Sequence, residues 1–155
     1  MVAAEGEAIA DLSALNALAE QRAWSRGELG HLLSRRQRKA VRKWRSSGCR
    51  RFVLVWTRRG GKSRVKCVTA IEECLRTPKL IVKYAAPTQD MAREIVVPLM
   101  TELLETAPEG TVRFNSQQMR WTFANGSTIK LAGCDGLNAN RLRGTAAHLV
   151  IVDEC

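Results

Sequence analysis

The feature that most constrains this chain lies between Arg51 and Leu75, where an apolar run leads through Gly60, Gly61, Lys62 and Ser63 into an amphipathic stretch. Phe52 to Trp56 reads as a buried strand. From Lys62 to Leu75 the residues Cys67, Val68, Ile71, Cys74 and Leu75 recur on one face at helical spacing. A strand that feeds a helix through a glycine turn belongs to a βαβ unit, and Leu80 to Ala86 supplies its second strand. The turn has the parts of a phosphate cradle. Gly60 and Gly61 let backbone N–H groups approach an anion, Lys62 carries a point charge to it, and Ser63 offers a hydroxyl to magnesium. The helix that follows aims its positive dipole end at the same place. One position departs from the usual pattern: Trp56 stands where a leading glycine is expected, so Thr57, Arg58 and Arg59 form the rest of the loop without that hinge.

Phosphate hydrolysis also needs a carboxylate at the end of a neighbouring buried strand to support the metal, and a second one to orient or deprotonate water. Leu149 to Val152, four apolar residues suited to burial on both faces of a parallel sheet, runs into Asp153 and Glu154. Taken alone, that pattern also describes a strand leaving the core for solvent. With Lys62 in the same chain, the expectation is that the ammonium and the two acids face each other across adjoining parallel strands.

The rest of the chain divides into recognisable pieces. Ala8 to Ala23 places Ile9, Leu12, Leu15, Leu18 and Ala19 at helical spacing before Gly27 and Gly30, a leader helix packed on the body or on a partner. Ser34 to Arg45 is a second, very basic helix, with Ser34 as its cap and Ser46, Ser47 and Gly48 ending it. Gln89 to Thr106 is a helix that Pro98 kinks or divides. Thr111 to Phe114, Arg120 to Phe123 and Ser127 to Leu131 are strands, the last two joined through Asn125 and Gly126 as a hairpin. The expected fold is therefore α/β of the P-loop NTPase type: a predominantly parallel sheet flanked by helices, with an added antiparallel hairpin. The division is a helical leader over 1–33 and a nucleotide-binding domain over 34–155.

Charge narrows the partners. The chain carries a net charge of +10, and 16 of its 25 Lys and Arg residues fall between Arg22 and Lys66 against one acid, Glu28. Such a run is either a solvated face or a nucleic-acid surface. The five cysteines, Cys49, Cys67, Cys74, Cys134 and Cys155, form no CxxC pair, and no His stands at zinc-ligand spacing, so no metal cluster is expected; Cys67 and Cys74, seven apart on an apolar helical face, read as small buried core residues, and the thiols are expected to be reduced. No secretory pattern opens the sequence and no apolar run is long enough for a membrane span, which points to the cytosol.

Four segments together carry a resemblance: WTRRGGKS at the turn, YAAPTQDMAREIV after the second strand, RFNSQQMRWTFANGSTIKLAG across the hairpin, and LRGTAAHLVIVDE before the acids. From about Ser34 onward the chain resembles the ATPase domain of tailed-phage terminase large subunits, the motors that package viral double-stranded DNA into a procapsid. The resemblance implies ATP and Mg2+ as cofactors, Lys62 and Ser63 holding them, Asp153 supporting the metal with Ser63, and Glu154 as the catalytic carboxylate. Arg58 matches the loop arginine that stabilises the γ-phosphate, a role suited to a guanidinium. The implied nucleotide-contacting set is Gln37, Thr57, Arg58, Arg59, Gly60, Gly61, Lys62, Ser63 and Arg64. Gln37 lies where the family has an adenine-reading glutamine, but Ser34 and Gln37 also satisfy a capping box, and both readings stand. Tyr84 to Gln89 resembles a coupling segment, while Pro87 and Thr88 also suit a plain strand end and helix cap. Arg141, Arg143 and Gly144 precede the acidic strand, placed for DNA phosphates or for a neighbouring protomer's nucleotide.

The implied partners are duplex DNA, a portal protein, a small terminase subunit and further copies in a ring, with no membrane, in the host bacterial cytoplasm and transiently at the procapsid portal. The family's core continues past the acidic pair into further strands and a nuclease domain that this sequence lacks. The expectation is thus an incomplete domain, ending after its second catalytic motif, with little or no turnover alone and no DNA cutting. Two alternatives come from other classes: a DExD/H-type helicase fragment, and a non-catalytic basic module that binds nucleic acid or a capsid partner.

Overall fold

The structure, a computed structural model, describes residues 2–57, 59–135 and 146–153, with the backbone alone for 2–11. Helix α1 (Val2–Arg26) extends beyond the expected span at both ends and stops at Gly27, whose φ of +62° and whose contact with the Glu72 carbonyl leave no room for a side chain. The expected apolar stripe does not pack on the body: Leu12, Leu15 and Leu18 are exposed. The chain is anchored further on, through Trp24, Leu29 and Leu33, all buried in the common core. The Leu29 N–H donates to Glu72 Oε1 at 2.7 Å.

Helix α2 (Arg35–Ser47) begins at a true capping box: Ser34 Oγ accepts from the Gln37 N–H at 3.3 Å, and Gln37 Oε1 accepts from the Ser34 N–H at 2.8 Å. Helix α3 (Lys62–Arg76) is the central element, with Cys67, Val68, Ala70, Ile71 and Cys74 wholly buried against the sheet. Arg45 ties α2 to α3 by donating to Glu72 Oε2 at 2.9 Å and Glu73 Oε1 at 2.7 Å. That arginine, drawn from the basic run, is therefore a structural partner of a buried acid. Arg35, Arg36, Arg38, Lys39, Arg42 and Lys43 leave α2 with an exposed cationic face.

Five strands form one sheet in the order β2-β3-β4-β1-β5. β1 (Ile81–Ala86) lies between β4 (Thr128–Gly133) and β5 (Leu149–Val152), parallel to both. β2 (Val112–Asn115) and β3 (Arg120–Phe123) continue from β4 by antiparallel pairing. The sheet is thus mixed, two parallel pairings and two antiparallel, and not predominantly parallel as expected. The hairpin does more than decorate the sheet, because β3 and β4 bring Trp121, Phe123, Ile129 and Leu131 into the core. Between β1 and β2 the chain runs as α4 (Gln89–Met91), a π-helical turn (Ala92–Val96) and α5 (Val97–Leu104). The division falls just before Pro98, whose ring and missing N–H disfavour regular helix in the preceding turn.

Two expectations about strands are corrected. Phe52 to Trp56 is extended, with Leu54 and Trp56 packed on the core and Val53 and Val55 more than 80% exposed, but it has no sheet partner among the described residues. Alternation fixed which residues face inward, while a strand also requires a hydrogen-bonded neighbour. β5 pairs with β1 and forms the sheet's edge, so Val150 and Val152 are 54% and 52% exposed instead of buried on both faces. A cleft of about 970 Å³ separates β5 from the 50–54 segment. Cys49, Cys67 and Cys74 are free thiols, whereas Cys134 is disulfide-bonded, contrary to the expectation that all were reduced. Among the described residues, no helix is long and apolar enough to cross a membrane.

Candidate nucleotide site

The glycine turn sits where the core's central helix starts. Gly61 caps α3 at φ +73°, a left-handed backbone that favours glycine, and a Cβ there would push aside the Gln37 amide that rests against it. Arg59 also takes a left-handed backbone, at φ +60°, which is rare for a residue with a side chain and concentrates strain in the loop. The Gly60 N–H closes the turn on Thr57 O at 3.1 Å. Lys62 Nζ folds back to donate to Trp56 O at 3.2 Å and Thr57 O at 3.4 Å. The ammonium is thereby held beside the loop.

One turn of α3 reaches across to the end of β5. Ser63 Oγ donates to Asp153 Oδ2 at 2.9 Å, Tyr84 Oη donates to the same oxygen at 2.7 Å, and Lys66 Nζ donates to Oδ1 at 2.5 Å. The backbone holds Asp153 as firmly, its N–H donating to Ala85 O at 2.8 Å in register with β1. Burial pushes the Asp153 carboxyl upward, but hydrogen bonds from Lys66, Tyr84 and Ser63 with the Lys66 charge outweigh it and hold the group below the ordinary carboxylate value. For Tyr84, burial raises the phenol far above its usual range, so it acts as a donor.

The sequence-predicted residues separate into groups. Ser63 and Asp153 meet at the N-terminus of α3, whereas the Lys62 ammonium stays on the Trp56 and Thr57 carbonyls and the lysine that reaches Asp153 is Lys66; the strand expected to lead into the turn does not adjoin β5, and a cleft lies between them. Gln37 joins the site through Nε2, which donates to Gly61 O at 3.4 Å, so one amide both caps α2 and touches the glycine turn. Arg64 is engaged elsewhere, donating to Leu32 O at 2.9 Å and pairing with Glu102 at 2.8 Å. Thr57 and Arg59 are exposed on the loop. Arg58, Arg141, Arg143, Gly144, Glu154 and Cys155 lie outside the described residues.

Lys66 and Tyr84 are partners of Asp153 that the sequence pattern does not announce. Lys66 lies three residues after Ser63 on the same helix face, the one signal that pointed to it. The donor chemistry suits magnesium, a hard cation that takes one or two protein oxygens and keeps the rest of its shell from water and phosphate. Ser63 Oγ and Asp153 supply such oxygens, and a small pocket of about 70 Å³ lined by Ser63, Pro87, Met91 and Asp153 opens beside them. No group of three His, Cys, Asp or Glu residues that could hold a metal gathers among the described residues. Set against protein-family models, curated proteins and solved structures, the chain matches none of them.

Proposed function

We propose that this chain binds Mg-ATP at the start of α3 and is the ATP-hydrolysing part of a viral DNA-packaging motor, a P-loop ATPase of the kind its sequence resembles. The observation that carries the reading is the 2.9 Å hydrogen bond from Ser63 to Asp153. Residues ninety positions apart, one from a Gly-Gly-Lys-Ser turn and one from an acidic strand end, meet as a metal-supporting hydroxyl and carboxylate do. When bound, Mg-ATP supplies the phosphoanhydride and the charge that polarises it. Lys62 then exchanges its loop carbonyls for phosphate oxygens, and the Gly60–Gly61 backbone with the α3 dipole holds the anion. In this reading Gln37, which touches Gly61, also reads the purine edge, while Glu154 orients the attacking water and Arg58 steadies the γ-phosphate.

The exposed cations of α2 are the surface for duplex DNA, whose binding would weaken with salt as counterions are released. Portal protein, small subunit and further copies of the chain complete the assembly in the bacterial cytoplasm.

Calorimetry with Mg-ATP tests the reading. Parent protein binds, Lys62→Ala loses at least tenfold in affinity, and Glu154→Gln keeps binding with turnover no higher than the parent's. Absence of any nucleotide affinity, together with retained salt-sensitive DNA binding, would instead support the non-catalytic basic module, which the exposed face of α2 also suits.

A further inference from the structure

Resting on the nucleotide reading, we infer that Lys66 is a positioning residue that serves as the resident counter-ion of Asp153, holding the place that magnesium takes when Mg-ATP binds, while Tyr84 fixes the carboxylate through the exchange. Asp153 is 8% exposed. An ionised carboxylate in such surroundings is costly unless paired and hydrogen-bonded. Its two oxygens are treated differently. Oδ2 takes neutral donors, the Ser63 and Tyr84 hydroxyls, and Oδ1 takes the Lys66 ammonium.

The two flanking groups also differ in freedom. Tyr84 sits in the middle of β1, 1% exposed, with its ring in the core cluster, so its hydroxyl cannot follow a moving partner. The Lys66 side chain is 18% exposed, and its stem can swing the ammonium toward solvent or along the face it shares with Lys62, one helical turn away. A divalent cation held by Ser63 and Asp153 would repel the neighbouring Lys66 ammonium. With that cation in place, Lys66 would leave the carboxylate while Tyr84 would stay bonded to it. Lys66 keeps the nucleotide-free site neutralised and sets the metal concentration at which nucleotide is retained.

Magnesium titration of a fluorescent ATP analogue bound to the full chain, starting in EDTA, measures the exchange. Lys66→Met is expected to reach half-saturation at about tenfold lower free Mg2+ than the parent. Tyr84→Phe is expected to weaken only the magnesium-dependent part of binding, by about fivefold. A midpoint for Lys66→Met that is unchanged or raised overturns the counter-ion role. Electron paramagnetic resonance of Mn2+ without nucleotide separates this role from the nucleotide reading. Tighter Mn2+ binding by Lys66→Met supports the counter-ion even where the parent takes no ATP analogue, and unchanged Mn2+ binding refutes it. Lys66→Gln, which keeps a polar donor, serves in the same assays where the Met variant melts more than a few degrees early.

Discussion

At the scale of single residues, Asp153 dominates because so many groups depend on it. A carboxyl whose pKa falls on folding contributes stability that is complete above its unfolded value of about 3.9 and is lost as pH drops through the lower folded value. Since Asp153 is held below the ordinary value, Asp153→Asn should be less stable than the parent near pH 7, and the difference should shrink below about pH 4. Urea denaturation at pH 7 and pH 3 checks this; a difference of equal size at both would mean that the carboxylate's charge contributes nothing. Thiols give a second contrast. Burial pushes Cys67 and Cys74 up to about 12, while Cys49 is exposed. Iodoacetamide at pH 8 should label Cys49 in the folded protein and spare the other two, with mass mapping as the readout. Ser63 and Asp153 were legible in the sequence because their neighbours, a glycine turn and an apolar run, are patterned. Tyr84 and Lys66 were not legible as their partners, since a tyrosine within a strand and a lysine within a helix fit either fold or function, and only the approach of β1 to α3 gives them a common target.

Among the elements, those stabilised by their own sequence were read best. The capping box of α2, the hairpin turn at Asn125–Gly126 and the α3 face each rest on interactions within a few residues, so local spacing suffices. Phe52 to Trp56 has a strand's alternation without a sheet partner among the described residues, because pairing is a property of two segments. The π-helical turn has no local signature for a related reason: Pro98 announces a disruption without specifying how the preceding turn absorbs it. Gln37 joins two of these elements and can be separated by substitution. Ser34→Ala should cost about 1 kcal/mol, whereas Gln37→Glu keeps a residue able to cap, gives up the bond to Gly61 O and should lower the melting temperature by only a few degrees. Glutamate lacks the amide donor, however, so an adenine-reading Gln37 predicts loss of preference for an ATP analogue over its GTP counterpart; unchanged preference would assign Gln37 to capping alone. Arg45→Met tests the other face of α2. It leaves Glu72 buried with the Leu29 N–H but without its cation, and should destabilise the protein by about 2–3 kcal/mol in urea unfolding.

Over the whole molecule, the α/β class was legible from alternating apolar patterns, but the strand order was not, because β4 returns beside β1 only after the antiparallel excursion through β2 and β3. That return places the acidic end of β5 against α3 and leaves β5 as an edge. Among the described residues its outer side has no strand beside it, and across the cleft Val53 and Val55 are also exposed. Open backbone hydrogen-bonding groups flanked by apolar side chains favour pairing between chains, whereas a net charge of +10 keeps the chains apart. The balance predicts an unusual salt response. Self-association should be weak at low ionic strength and strengthen near 1 M salt, where the screening length falls to about 3 Å and only the edge's attraction remains. Val150→Lys places a charge on a half-exposed outward position of β5, with little cost to the core, and should suppress the association at every salt concentration. Sedimentation velocity over a range of protein and salt concentrations decides the matter: association that weakens with salt, or that Val150→Lys leaves intact, would place the sticky surface on the cationic face of α2 and not on the sheet edge.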